Sequence, residues 1–331
     1  MRKITLNDVA EKANVSKTTV SMVLNNKPIN VSDETRKNIL DAAKELSYIP
    51  NTIARSLSTK KTNTLGVILP DIENPFFAEM GKAIECTAEE LGYNVILCNS
   101  YDKEEREEKQ TKLLISRLVD GVILASGGND DRCLKLMRNN KVPFIVVDRY
   151  IKTDLDYSGV FCSNEEGIKL ALDYLYKKNK RNIAFVRGER GVQTADSRYD
   201  YYEKISKEFG IFNKDLIFEG KFDITGGMKA TENLIKSIKK IDAILYSSDI
   251  MALGGMKILI RKGYNIPKDV SIMGYDNINI SQIMEPELTT IAQPIYKMGE
   301  TACKLIVDII EKKIKNTTIV LRPKLLERNT V

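Results

Sequence analysis

From Leu65 to about residue 274, short apolar runs alternate with amphipathic ones, and no other feature constrains the fold as strongly. Strand-like runs fall at residues 65–69, 94–99, 121–125, 144–148, 159–163, 182–187, 243–247 and 270–274. Helical patterns fill the intervals near 75–91, 104–118, 165–178, 198–209, 225–238 and 250–262. Apolar strands joined by helices belong to parallel sheets covered on both faces, because the crossover helices must lie on those faces. So many strands predict two sheets with a cleft between them. A chain of 331 residues has room for two or three such units. No apolar run approaches the ~18 residues of a membrane span, and Met1 to Ala10 lacks a signal peptide's apolar stretch. A soluble, cytoplasmic protein with no membrane partner is expected.

Composition then narrows the chemistry. Histidine is absent, which removes the commonest general base, the usual activator of Ser and Cys nucleophiles and the commonest metal ligand. Cys86, Cys98, Cys133, Cys162 and Cys303 are far apart and form no Cys-x-x-Cys pair. Buried reduced thiols are therefore expected, not a disulfide framework or a zinc site. A Gly-x-Gly-x-x-Gly loop after the first strand, a phosphate-binding Gly-x-x-x-x-Gly-Lys-Ser/Thr loop and a Gly-x-Ser-x-Gly elbow are also missing. The expectation is no catalytic residue, no metal and no cofactor.

Open α/β sheets bind ligands beyond the carboxyl ends of their strands. There the sequence places Asp71, Asn74, Phe76 and Phe77 after the first strand, residues 126–128 after the third and Asp148-Arg149 after the fourth. Thr194 and Arg198 lie beyond Arg187, Ser248-Asp249 follow Tyr246, and Tyr275-Asp276 follow Gly274. Carboxylates, guanidinium groups, hydroxyls and aromatic faces together suit a small polyhydroxylated or otherwise polar ligand. Asp and Ser at strand ends are also ordinary caps of the next helix, and Asp249 fits a cap well. Arg198 fits one poorly, since it falls at a predicted helix start, where the dipole disfavours a cation. Phe76 and Phe77 are expected to be half core and half pocket.

Residues 1–61 differ from the body. They hold eleven Lys/Arg against six Asp/Glu, which is five of the chain's six net positive charges. A small basic head on a nearly neutral body points to a polyanionic partner. Thr5, with Asp8 three residues on, caps a first helix whose apolar face is Val9, Ala10 and Ala13. Ser16 caps a second, with Val20, Val23 and Leu24 inward, and Ser32 a third, in which Ile39, Leu40, Ala43 and Leu46 recur at helical spacing. Short helices joined by the Asn14-Val15 turn match the helix-turn-helix pattern. Lys17, Thr18, Ser21 and Met22 then face outward, where Lys can donate to guanine, hydroxyls to any base, and Met can make apolar contact. Helix N-termini, Lys12 and Arg36 are placed to hold phosphates. The alternative is a solvated hairpin capping a larger domain. The segment 52–58 is too short to be a stable helix alone.

With these residues in view, the chain resembles the LacI/GalR family of bacterial transcriptional regulators. In the head the resemblance rests on Thr5-Leu-Asn-Asp-Val-Ala-Glu-Lys-Ala13, Val15-Ser-Lys-Thr-Thr-Val-Ser21 and Tyr48-Ile-Pro-Asn51. In the body it rests on Gly66-Val-Ile-Leu-Pro-Asp71, Asn74-Pro-Phe-Phe77, Asp120-Gly-Val-Ile-Leu124, Met251-Ala-Leu-Gly254, Gly274-Tyr-Asp276 and Leu288-Thr-Thr-Ile-Ala-Gln-Pro294. It implies an all-α helix-turn-helix headpiece at residues 1–50 and a hinge helix and linker at 51–61. An α/β core follows, two-lobed like periplasmic binding proteins and built on parallel sheets. Its N-terminal lobe comprises 62–162 with 293–323 and its C-terminal lobe 163–292 with 324–331, with crossings near Cys162, Gln293 and Pro323. A homodimer, or a tetramer, would straddle a pseudo-palindromic operator in double-stranded DNA.

Carried over position by position, the resemblance makes Lys17, Thr18 and Met22 the recognition residues, with Thr5, Ser16, Ser21, Asn25 and Asn51 completing the DNA-contact set. Leu57 becomes the minor-groove wedge, with Ala54 beside it. The implied effector-binding residues are Phe76, Asp148, Arg149, Thr194, Arg198, Phe222, Ser248 and Asp276. Arg198 and Asp276 can each grip hydroxyls bidentately. Asp148-Arg149 is similar to the pair of sugar-responsive members, so the implied small-molecule effector is a sugar or sugar derivative. Met22, Asp200 and Ser248 depart from residues common in the family, which leaves the operator bases and the particular ligand open. Asp308 stands where a protein corepressor would need basic contacts. The expected function is a ligand-responsive repressor of carbohydrate uptake or catabolism genes, not an enzyme. The alternative is a cytoplasmic sugar-binding or sugar-converting protein with the same two-lobed core.

Overall fold

The computed structural model describes residues 4–25, 27–49, 61–125, 130–237 and 240–331. The chain divides into two compact units, residues 1–62 and 63–331. The implied hinge residues Asn51, Ala54 and Leu57 lie outside the described residues, as do the strand-end residues 126–128.

In the first unit, helix α1 (Leu6–Lys12) begins where the Asp8 carboxylate accepts both the N–H and the hydroxyl of Thr5, each at 2.7 Å. A turn follows in which Asn14 takes a φ of 52°, a left-handed conformation that Asn tolerates better than most residues. Helix α2 (Lys17–Leu24) is capped by the Ser16 hydroxyl, which accepts the Thr19 N–H at 3.1 Å. Ser32 caps α3 (Asp33–Glu45) in the same way, accepting from Thr35 at 3.1 Å. Val9, Ala10, Val20, Val23, Ile39, Ala42 and Ala43 form the core. Leu40, expected inside, is instead 50% exposed. Successive helix positions lie roughly 100° apart, and the buried stripe runs through Ile39, Ala42 and Ala43 with Leu46 against it, so Leu40 falls off its edge.

The second unit is built on two six-stranded sheets. Strands β1 (Thr64–Leu69), β2 (Asn94–Asn99), β3 (Gly121–Leu124), β4 (Phe144–Val147) and β5 (Ser158–Cys162) alternate with helices α4 (Pro75–Glu90), α5 (Glu104–Ser116) and α6 (Arg132–Asn139). The chain then runs through α7 (Asn164–Lys177), β6 (Ile183–Arg187), α8 (Gln193–Glu208), β7 (Ile217–Glu219), α9 (Ile224–Ser237), β8 (Ala243–Tyr246), α10 (Asp249–Arg261), β9 (Ser271–Asp276) and β10 (Thr289–Ala292). It ends with α11 (Ile295–Ile310), β11 (Thr318–Leu321) and β12 (Lys324–Leu326). The first sheet has the order β11-β5-β4-β3-β1-β2 and is parallel throughout. The second has the order β12-β10-β9-β8-β6-β7, with β12 as an antiparallel edge. The chain therefore passes between the sheets after β5, after β10 and after β11.

One helix crossing needs glycine at two positions. Cβ atoms at Gly227 and Gly254, where α9 crosses α10, would lie 2.1 and 2.2 Å from the backbone oxygens of Met251 and Ile224, so only glycine lets these helices approach so closely. Parallel register aligns the strand ends on one edge: Leu69 pairs with Asn99, Ile68 with Leu124 and Val147 with Val160. The loops after those ends carry the polar residues picked out above.

The alternation read from the sequence stops at residue 274 and omits β7, β10, β11, β12, α6 and α11. Strands β7, β11 and β12 lie on sheet edges, where few positions are buried and no apolar run is required. Helix α8 begins at Gln193, five residues before the expected start. Of the five cysteines, Cys86 is exposed and not buried as expected, since it lies on the outer side of α4. Among the described residues, no helix is long and apolar enough to cross a membrane.

Candidate functional site

In the first unit the candidate surface is the outer side of α2. Val20 and Val23 are buried beneath it, Lys17 and Thr18 are exposed, and Ser21 and Met22 are half-buried. Thr5, Ser16 and Asn25 are engaged within the unit: Thr5 and Ser16 in the caps already described, and Asn25 by donating from Nδ2 to the Ser21 carbonyl at 2.7 Å. Lys12 pairs with Glu45 of α3 on the surface. Lys27 and Arg36 border one shallow depression with Pro28, Ile29 and Asn30, which leaves two cations on a surface close to the end of α2.

In the second unit, the two lobes meet around a narrow cavity with about 20 Å³ of free volume. Asn74, Phe76 and Phe77 reach it from the start of α4, and Asp148 and Arg149 from the end of β4. The second sheet's side supplies Thr194 and Arg198 from α8, Phe222 from the loop after β7 and Asp276 from the end of β9. Gln293 stands at the crossing after β10. Asp148 and Asp276 have φ values of 67° and 121°, in a region that side chains rarely adopt and that concentrates at ligand sites. Each marks a strand end whose carboxylate is turned toward the cavity.

Arg198 is held on several sides. Its Nε donates to Asn164 Oδ1 at 2.9 Å and its Nη1 to the Ser247 carbonyl at 2.6 Å. The same Nη1 lies 3.6 Å from Asp276 Oδ1, and the guanidinium sits 3.9 Å above the Tyr275 ring centroid. Gln293 Nε2 donates to Asp276 Oδ1 at 2.8 Å. Arg149 pairs with Asp102 at 2.6 Å and with Asp148 at 3.7 Å. Burial pushes the Asp276 carboxyl well above the usual range; Arg198 pulls it back, Asp249 adds to the rise, and the Gln293 hydrogen bond opposes it. Burial also raises Asp148, against the pull of Arg149 and Arg198.

The lobes touch around this cavity. Asn74 Nδ2 donates to the Phe222 carbonyl at 3.5 Å, the Tyr150 N–H to Gln193 Oε1 at 3.2 Å and the Asn279 N–H to Glu79 Oε1 at 2.8 Å. Chemically, the arrangement offers carboxylates that accept from hydroxyls, guanidiniums that donate to their oxygens and aromatic rings for C–H faces. Among the described residues, no cluster of His, Cys, Asp or Glu is arranged to hold a metal ion.

Seven of the eight expected effector residues thus meet at one cavity, and Ser248 does not. It is buried as the cap of α10, its hydroxyl accepting the Met251 N–H at 3.4 Å. Asp249, expected to be that cap, accepts instead from the Thr290 hydroxyl at 2.5 Å and the Ile278 N–H at 3.0 Å, tying α10 to the ends of β9 and β10. Arg198 lies five residues inside α8 and not at its start, so the helix dipole is not what sets its role. Asn74, Phe77 and Gln293 line the cavity without belonging to the expected set. Phe76 and Phe77 both face it and both belong to the core, so each does both jobs.

Residues 5–51 match the family described as bacterial regulatory proteins, lacI family. Residues 62–327 match periplasmic binding proteins and sugar binding domain of LacI family. The ribose operon repressor of Halalkalibacterium halodurans is 37% identical over 313 residues, spanning 95% of this chain and 92% of that protein. Catabolite control protein A of Priestia megaterium is 35% identical over 327 residues, spanning 98% of each. The crystal structure of the Lac repressor dimer bound to operator and the anti-inducer ONPF superposes with a TM-score of 0.90 at 27% identity, covering 99% of each chain.

Proposed function

The chain belongs to the LacI family of bacterial regulatory proteins, and from this premise we propose that it is a ligand-responsive repressor of carbohydrate uptake or catabolism genes, acting in the cytoplasm. One combination carries the reading: a capped helix with Lys17 and Thr18 exposed above buried Val20 and Val23, and a cavity lined by charged and aromatic residues between two lobes of the same chain. Lys17, Thr18, Ser21 and Met22 read base edges in a major groove, while Lys27 and Arg36 fix the register on phosphates. Two copies straddle a pseudo-palindromic operator, with Leu57 and Ala54 of each entering the minor groove between them.

The effector is a sugar or sugar derivative held by Phe76, Asp148, Arg149, Thr194, Arg198, Phe222 and Asp276. It regulates because it binds the closed lobes better than the open ones; equal affinity for both would shift nothing. The related repressors are regulators and not enzymes, and the cavity serves as a sensor. Selection of bound fragments from genomic DNA, with and without sugar, tests the proposal. Enrichment of one pseudo-palindromic site whose yield changes with sugar is the expected result. Failure to enrich any such site under either condition would remove it.

A further inference from the structure

Arg149 stands on a wall shared by two spaces. On one side lies the narrow cavity and on the other a roomier vestibule, with free volumes of about 20 and 340 Å³. Asn74, Phe77 and Phe222 complete the constriction between them. A charged group on a sugar bound against Arg149 would meet this vestibule. Among the described residues the vestibule presents more carboxylates than cations, with Asp71 and Asp223 on its walls. Its cations already face carboxylates: Arg149 lies 2.6 Å from Asp102, Arg190 2.9 Å from Glu219 and Lys221 3.7 Å from Glu189.

Asp102 lines the vestibule and not the inner cavity. It is presented by a turn after β2 in which Tyr101 and Asp102 have φ values of 55° and 53°. We propose that Asp102 is a specificity-determining residue: by holding the Arg149 guanidinium at the constriction, it denies that cation to anionic ligands and restricts the cleft to uncharged, unphosphorylated sugars. A guanidinium has five N–H donors, so Arg149 can bind Asp102 and still donate to a sugar hydroxyl. A phosphate in the same place would sit beside the Asp102 carboxylate, and like charges brought together reject a wrong partner strongly.

This inference rests on the sugar-sensing reading above. Its test is titration calorimetry on the full chain with D-ribose, D-xylose, D-glucose and D-galactose, and with D-ribose 5-phosphate, D-xylose 5-phosphate, D-glucose 6-phosphate and D-galactose 6-phosphate. At least one free sugar binds, and its ester binds about a hundredfold more weakly. Asp102→Asn loosens Arg149, weakens the free sugar a few-fold and strengthens its ester roughly tenfold; Asp102→Glu keeps the original preference. Equal or tighter binding of the ester by the unaltered chain would overturn the proposal and leave the sugar sensor standing. A parallel loss of both ligands in Asp102→Asn, or an unchanged ratio, would also overturn it, reducing Asp102 to a structural prop. Silence from all eight compounds would remove this proposal and the sugar effector together, while operator selection would still be decided on its own.

Discussion

The two sides of the cleft hold their charges differently. On the second sheet's side, Arg198 is fixed by Asn164, the Ser247 carbonyl and Asp276, partners that are themselves buried. On the first sheet's side, Arg149 is equally buried, but its closest carboxylate belongs to Asp102, whose side chain is 43% exposed. Water screens the second arrangement and not the first. One half is therefore a rigid grip whose loss damages the fold, and the other can be retuned at its outer rim with the core left intact. A ligand sensor benefits from this division, since affinity and selectivity then rest on different residues.

Removing each guanidinium tests the contrast most severely. Arg198→Ala leaves Asp276 buried without its cation and costs on the order of 3–5 kcal/mol of stability, with loss of sugar binding. Arg149→Ala costs less than half as much. Denaturant unfolding of both variants measures this, and equal losses would abolish the distinction. The next largest effect concerns pH. Burial pushes the Asp249 carboxyl up to about 6, so the folded chain holds that proton more tightly than the unfolded one. The resulting stability is fully present below the ordinary aspartate pKa of about 4 and is lost as pH rises through about 6, a change on the order of 3 kcal/mol. Asp249→Asn should flatten the dependence of Tm on pH over that interval; an unchanged slope would place the titration elsewhere.

Smaller effects sharpen the comparison. Ser248→Ala removes the cap of α10 and costs about 1 kcal/mol, yet leaves sugar affinity within twofold because Ser248 does not line the cavity. A large loss of affinity would return it to the site. Glu79→Ala leaves the Asn279 N–H without its acceptor across the lobes. It should reduce sugar affinity a few-fold, about 1 kcal/mol, by favouring the open form. Small-angle scattering of the free variant would then show a larger radius of gyration, and an identical curve would deny Glu79 a part in closure.

Local signals carried much of the fold. Ser16 and Ser32 precede apolar stripes and became caps, and runs such as 65–69 and 243–247 became strands, because capping and periodicity depend on near neighbours in the chain. The strand-end position of Asp148 and Asp276 marked them as ligand-facing, as did the poor fit of Arg198 to a helix start, and with the family motifs most of the pocket could be named. The edge strands β7, β11 and β12 were hidden because they are only three or four residues long and partly exposed, with apolar runs of two or three residues.

What the sequence by itself determined is a basic helical head, an alternating body and a set of polar strand ends. The tertiary structure alone decided which of two adjacent residues caps α10 and which is buried in a hydrogen-bonded tie. It also placed Arg198 well inside its helix, set Gln293 against Asp276 and brought Asp102, 47 positions away in the chain, to Arg149. The physical reason is the range of the forces involved. A cap or an amphipathic stripe is satisfied within a few residues, whereas a buried charge is satisfied by whichever distant group packing brings within reach.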